Sequence, residues 1–324
     1  MTLPLPFIGH LPAGARDAIS DVAGVTVGHC TLADGPVQTG VTVVRPHGGD
    51  PFRDRVPAAA VVLNGFGKSV GLMQVEELGV LETPVALTNT FSVPAVAHAQ
   101  VRACIAANPE CGRGLPTVNP LVFECNDGFL NDIQRMVVGE EHYLQALANT
   151  GVAVEEGSVG AGRGMSCFEL KGGIGTASRV VDGVTVGALV LANFGKRHQL
   201  RIAGQAMAAE DTGPEKGSVI LLLATDAPLD ARQLRRLALR AGVGLARTGS
   251  VFGHGSGDIA LAFSTAYTVP LEPTRPMPAV AMLHETRLDP LFAAAADATE
   301  QAILHALWRA EAVTGRDGHR RETL

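Results

Sequence analysis

The chain has 324 residues, a formal net charge of −6, 46% apolar and 18% charged residues, and 38 glycines. That length buries a sizeable core, and the composition excludes disorder, collagen and a coiled coil. The acidic balance leaves no general nucleic-acid footprint, and every long apolar run is interrupted by Gly or a polar residue, which argues against a membrane span.

Residues 1–14 lack a basic region followed by an apolar core and a small-residue cleavage site, so no leader is expected. Residues 35–40 and 46–57 read as loops. A continuous apolar run at 58–63 predicts a strand buried on both faces, as do the runs at 85–90, 184–192, 219–224 and 259–263. Helical patterns fall between them. Residues 69–78 carry Val70, Met73, Val75 and Leu78, and 94–107 is Ala-rich with Pro94 near its first turn. Residues 157–164 form a Gly-rich loop. Residues 229–245 have Asp230 as N-cap and Leu234, Leu237 and Leu239 in helical register. Residues 271–278 read as a further loop. A last helix at 290–313 places Leu291, Ala295, Ala298 and Ala302 near one face, and 314–324 reads as a polar surface tail. Buried strands mixed with helices imply an α/β layered fold, and no stretch is long enough for a linker, so 1–324 is read as one domain.

Cys30, Cys104, Cys111, Cys125 and Cys167 form an odd set with no CxxC pair, which reads as reduced thiols and a cytoplasmic location. No metal-ligand spacing appears, and no cofactor is expected. Gly65-Phe66-Gly67-Lys68-Ser69 imitates the end of a phosphate-binding loop, but Val62 stands where that motif needs its first Gly. The segment reads as a strand-to-helix turn. Gly160, Gly162 and Gly164 likewise miss the dinucleotide spacing.

Arg247-Thr248-Gly249-Ser250 follows the 229–245 helix, and Gly253, Gly255, Ser256, Gly257 and Asp258 precede the next apolar run. Two readings stay open on the residues alone. One is a helix C-cap and a flexible loop. The other is chemical: a Ser hydroxyl after a Gly attacks the preceding carbonyl, since Gly lets the backbone bend toward the geometry an acyl shift needs.

Residues 247–266, RTGSVFGHGSGDIALAFSTA, resemble the processing segment of the DmpA-like L-aminopeptidase/D-esterases, a group that includes β-peptidyl aminopeptidases and nylon-oligomer hydrolases. The resemblance runs in order through Asp17-Ala18-Ile19-Ser20-Asp21-Val22, Leu63 to Ser69, Glu124 with Asn126-Asp127-Gly128, Lys171 to Arg179, Ala192-Asn193-Phe194-Gly195 and Ala298-Thr299-Glu300. It covers residues 15–320.

The resemblance implies a four-layer α/β/β/α sandwich and self-cleavage between Gly249 and Ser250. The two fragments, 1–249 and 250–324, would stay together, the smaller of about 8 kDa out of 33.6 kDa. Ser250 would then carry the attacking hydroxyl and a free α-amino group. By the same resemblance Asn193 donates its amide to the tetrahedral oxyanion and Glu124 binds the substrate's ammonium. Cys125 stands where the family often has Thr, which puts the favoured substrate in question. Asp127, Asn131 and Asp132 read as structural. Glu285, with Thr286, is the candidate for the family's carboxylate and hydroxyl in the small fragment. His254 and His284 read as structural histidines. The implied activity is release of N-terminal amino acids from short peptides, aminoacyl amides or esters. Its partners are that substrate, its own cleaved fragment, and other protomers in a homo-oligomer, often a tetramer. A self-processing acyltransferase similar to ornithine acetyltransferase, and a processed non-catalytic assembly protein, are the alternatives.

Overall fold

The computed structural model describes residues 4–210 and 217–324; residues 1–3, part of the stretch searched above for a leader, and 211–216 lie outside the described residues. In chain order the principal elements are β1 (Thr26–Asp34), β2 (Val37–Arg45), β3 (Asp54–Gly65), α1 (Leu72–Leu78), β4 (Val85–Asn89), α2 (Val93–Ala107) and β5 (Val122–Cys125). There follow α3 (Glu140–Ala148), β6 (Gly173–Val181), β7 (Val184–Asn193), β8 (Gly217–Thr225), α4 (Ala231–Arg247), β9 (Ser256–Ser264) and α5 (Asp289–Trp308).

A smaller sheet has the order β1-β2-β4-β5, and a larger one runs β3-β9-β8-β7-β6, with Val80–Leu81 and Val269–Pro270 pairing the first residues of β3. Within these two runs the pairs β4/β5 and β8/β9 are parallel, and each is joined by a helix, as a parallel connection requires.

Strand alternation sorts the core into three layers. Along β8, Val219, Leu221 and Leu223 face α4 and α5, while Ile220, Leu222 and Ala224 face the other sheet. Along β9, Ala260 and Ala262 pack under the helices, while Ile259, Leu261 and Phe263 fill the space between the sheets. On the far side Val41, Val43, Ala86 and Val122 pack against Val96 and Ala99 of α2 and Tyr143 and Ala146 of α3. The architecture is a four-layer α/β/β/α sandwich.

All five predicted strands are present, each within a strand or extending by one residue past it. The loops expected at 35–40 and 46–57 give way to β2 from Val37 and β3 from Asp54. The helix expected from 69 starts at Leu72, and the last helix ends at Trp308 rather than at 313. The tail is also corrected. Val313–Thr314 pairs with Arg320–Arg321, and Glu322 O accepts from the Lys171 N–H at 2.8 Å, so residues 313–322 fold back onto the body.

Candidate active site

At one end of the large sheet Asn193 of β7 lies opposite Ser218 of β8, and Ser218 lies opposite Gly257 of β9. A cavity of about 950 Å³ opens there, walled by residues that include Phe66, Lys68, Thr90, Glu124, Asn193, Ser218 and Gly253.

Asn193 is buried and its amide is oriented from both ends. The Ser166 N–H donates to Oδ1 at 2.8 Å, and Nδ2 donates to Asn126 O at 3.0 Å. Among the described residues the second Nδ2 hydrogen meets Ser218 Oγ, at 3.5 Å, on the cavity wall. An amide N–H held this way is a donor for an oxygen that gains negative charge.

Glu124 is also buried. The Lys68 N–H donates to Oε1 at 2.8 Å, and the Thr90 hydroxyl donates to Oε2. A carboxylate accepts about four hydrogen bonds, so capacity remains for an ammonium group. The 65–69 segment, read from sequence as a plain turn, is therefore part of the site: it delivers the Lys68 amide to Glu124 and the Phe66 ring to the wall. The neighbouring Cys125 points elsewhere. Its thiol lies in the inter-sheet core against Leu191 O at 3.7 Å, and burial pushes its pKa up.

α4 starts as expected: Asp230 accepts from the Gln233 N–H at 2.7 Å. Its C-terminus leads into Thr248-Gly249-Ser250. Gly249 has φ +106, and a Cβ there would stand 1.9 Å from Gln199 O, so glycine is required by both conformation and space. Ser250 is buried, with its Oγ accepting from the Phe252 N–H at 3.3 Å. The loop that follows supplies Gly253, His254 and Gly255 to the cavity wall.

The hairpin Ser166–Cys167 and Leu170–Lys171 turns through Phe168 (φ +51) and Glu169 (φ +61). Two successive non-glycine residues in the left-handed region store strain of about 1–3 kcal/mol each. The turn buries Phe168 against Phe194, ring centroids 5.0 Å apart, and puts Glu169 on the cavity wall, 3.2 Å from Lys196 Nζ.

Glu285 is not brought to this site. It pairs with Arg232 and Arg236 and accepts from Gln233 Nε2 at 3.1 Å, at the N-terminal end of α4. Ser250 follows the other end of that helix, about 22 Å away at 1.5 Å per residue. Thr286 and His284 go with Glu285. The corresponding expectation for a small-fragment carboxylate at the nucleophile is thus corrected for these residues. Asp127 is buried and holds Asn131 Nδ2 at 3.0 Å, while Asp132 makes a surface pair with Arg135. His254 is exposed on the cavity rim. Sequence reasoning missed Ser218, Thr90, Ser166 and Arg321. Isolated hydroxyls and one tail arginine carry no pattern to find.

Among the described residues no group of three or more His, Cys, Asp or Glu is placed to hold a metal ion, and no helix is long and apolar enough to cross a membrane.

Residues 17–321 match the model of peptidase family S58. A β-peptidyl aminopeptidase of Sphingosinicella microcystinivorans is 40% identical, over 98% of this chain and 87% of that one. Among solved structures, a β-aminopeptidase of Burkholderia sp. superposes with a TM-score of 0.91 at 44% identity, covering 98% of this chain and 93% of that one. The L-aminopeptidase D-Ala-esterase/amidase of Ochrobactrum anthropi, described as a serine aminopeptidase with a variant of the Ntn hydrolase fold, also gives 0.91, at 36% identity and coverage of 99% and 93%.

Proposed function

The chain belongs to peptidase family S58 and is an aminopeptidase, a peptide-bond hydrolase, and we propose that it cuts itself before Ser250 and uses that residue as nucleophile. The observation that carries this reading is the convergence on one cavity of Glu124, Asn193 and Gly253, His254 and Gly255, the loop that begins three residues after the buried Ser250. The substrate's terminal ammonium pairs with Glu124, which fixes the register so that only the first residue's carbonyl reaches the nucleophile. The Asn193 Nδ2 hydrogen facing Ser218 meets the carbonyl oxygen as it becomes an oxyanion.

Cleavage of Gly249–Ser250 releases an α-amino group with an ordinary pKa of about 7.7–8.0, which takes the hydroxyl proton near neutral pH. Ser250 Oγ bonds to the substrate carbonyl carbon, the amine returns the proton to the leaving nitrogen, and an acyl-enzyme remains. Water then attacks the acyl carbon, giving up a proton to the same amine; the bond from that carbon to Oγ breaks, the amine returns the proton to Oγ, and the free amino acid departs. Short peptides, aminoacyl amides and aminoacyl esters all present the ammonium and carbonyl that this arrangement reads.

Several processed protomers are expected to associate, four by the family resemblance. Support comes from β3, whose outer edge has no described strand beyond Pro57, and from exposed Val62, Met73 and Leu78 on β3 and α1.

Denaturing mass spectrometry of the wild-type protein and of Ser250→Ala tests the reading. Two wild-type fragments, the smaller starting at Ser250, and one uncut mutant chain are expected. An uncut wild-type chain that still hydrolyses aminoacyl p-nitroanilides would remove the N-terminal amine from the mechanism.

A further inference from the structure

The cavity has a second charged pole that the mechanism above does not use. The hairpin of Val313–Thr314 and Arg320–Arg321 is tied to the body at three places. Arg316 Nε donates to Gly128 O at 2.6 Å, the Arg316 N–H donates to Leu130 O at 2.8 Å, and the His319 ring stacks on Phe129 with centroids 4.7 Å apart. So anchored, it lays the Arg321 guanidinium carbon 3.8 Å from the centroid of the same Phe129 ring, on the cavity wall. Arg321 Nε donates to Ser166 Oγ at 3.1 Å.

No carboxylate among the described residues lies within ion-pair distance of Arg321. The acidic neighbour whose field reaches it, Glu169, is held by Lys196 Nζ at 3.2 Å and by the Arg197 N–H at 3.3 Å. Burial holds the guanidinium below its ordinary pKa. A half-buried guanidinium with its planar fork unmatched is a site for a carboxylate.

Ser166 also fixes the position of this pole relative to the reaction. Its N–H holds Asn193 Oδ1 and its Oγ holds Arg321 Nε, at 2.8 and 3.1 Å. Through that one serine, Oδ1 and Nε are at most about 10 Å apart, about the reach of three extended residues.

We propose that Arg321 is a specificity-determining residue that binds the free carboxylate at the C-terminal end of the substrate, so that di- and tripeptide acids are preferred over their amides. This rests on the aminopeptidase reading with Glu124 at the amino end. The two poles then measure the substrate from both termini. Long peptides lose the second contact.

The test compares kcat/KM for one N-terminal residue presented as free dipeptide, dipeptide amide and p-nitroanilide, in wild-type and Arg321→Gln protein. The acid-to-amide ratio is read within each protein, so a general loss of activity divides out. The wild-type ratio is expected to favour the acid by about tenfold or more, through KM, and to approach one in the variant. A wild-type ratio near one, or a ratio unchanged by R321Q, overturns the proposal. Should R321Q fail to self-cleave, R321K decides: it keeps the charge but not the fork, and an unchanged ratio overturns the proposal while a several-fold fall supports it. Wild-type turnover of the p-nitroanilide reports on the aminopeptidase reading alone. Its absence removes that reading and this one together.

Discussion

Asn193 offers one hydrogen to Asn126 O and turns the other toward the cavity, so its contribution is made mainly after the carbonyl becomes tetrahedral. Asn193→Ala is therefore expected to lower kcat by about 10²–10³ with little change in KM. An equal rise in KM at constant kcat would instead make Asn193 a ground-state contact. Glu124→Gln should show the opposite split. It keeps the shape but removes the charge that meets an ammonium, so KM rises for aminoacyl substrates while processing at Gly249–Ser250, which involves no substrate amine, continues. Loss of processing in E124Q would show that the carboxylate is needed for the fold of the site. Both residues were legible only through the family resemblance. Asn193 ends an apolar run and reads alone as a turn residue, and Glu124 sits in a four-residue strand too short to register as a pattern. Ser218 and Thr90 had no signal, because a single hydroxyl is identified by its neighbours in space.

Strands were readable where burial comes from large side chains, and hidden where it comes from close backbone approach. β8 and β9 carry Ile, Leu and Phe toward the opposite sheet and stand out. β6, Gly173–Val181, is buried over its first seven residues yet composed there of Gly, Ile, Thr, Ala, Ser and Arg. The reason is α5, which lies so near that a Cβ on Gly175 would stand 1.9 Å from Ala302 O. Small residues admit the helix and erase the apolar signal. The β1–β2 hairpin was missed for a related reason: Thr and Gly interrupt the apolar residues along both of its strands, and His along one of them.

That hairpin also holds a pH-sensitive group. His29 of β1 meets Thr42 of β2, its Nδ1 2.9 Å from Oγ1, and burial lowers its pKa from 6.5 to about 4. Burial disfavours the imidazolium, so the folded state binds this proton less readily than the unfolded chain. The stability is complete above pH 6.5 and is lost as pH falls through about 4, by up to about 3 kcal/mol. Urea midpoints measured at pH 7 and pH 4 should fall further for wild type than for His29→Gln. Equal falls would place the acid sensitivity elsewhere.

At the scale of the molecule, the proposed cleavage at Gly249–Ser250 would not divide the protein along a seam. The 250–324 fragment contains β9, which pairs with β8 on one side and β3 on the other. It also contains α5, which packs over β6 and β7, and the tail hairpin that reaches Gly128, Ser166 and Lys171. Ile259, Leu261 and Phe263 fill the space between the two sheets, so withdrawing the fragment opens that layer and strips the large sheet of an interior strand. Roughly 1.5–3 kcal/mol for each such side chain, together with a full ladder of hydrogen bonds on both edges, opposes separation. The processed fragments are therefore expected to run as a single 1:1 complex in native mass spectrometry and to part only under denaturant. Unfolding should be one transition, with the 75-residue piece losing its structure when the larger one does. Fragments that separate at neutral pH without denaturant, or a small fragment that keeps its circular dichroism alone, would contradict the interior placement of β9. The nicked complex differs from the uncut Ser250→Ala chain in one further respect. Its unfolding releases two chains instead of one, so its urea midpoint should rise with protein concentration more steeply than that of the mutant.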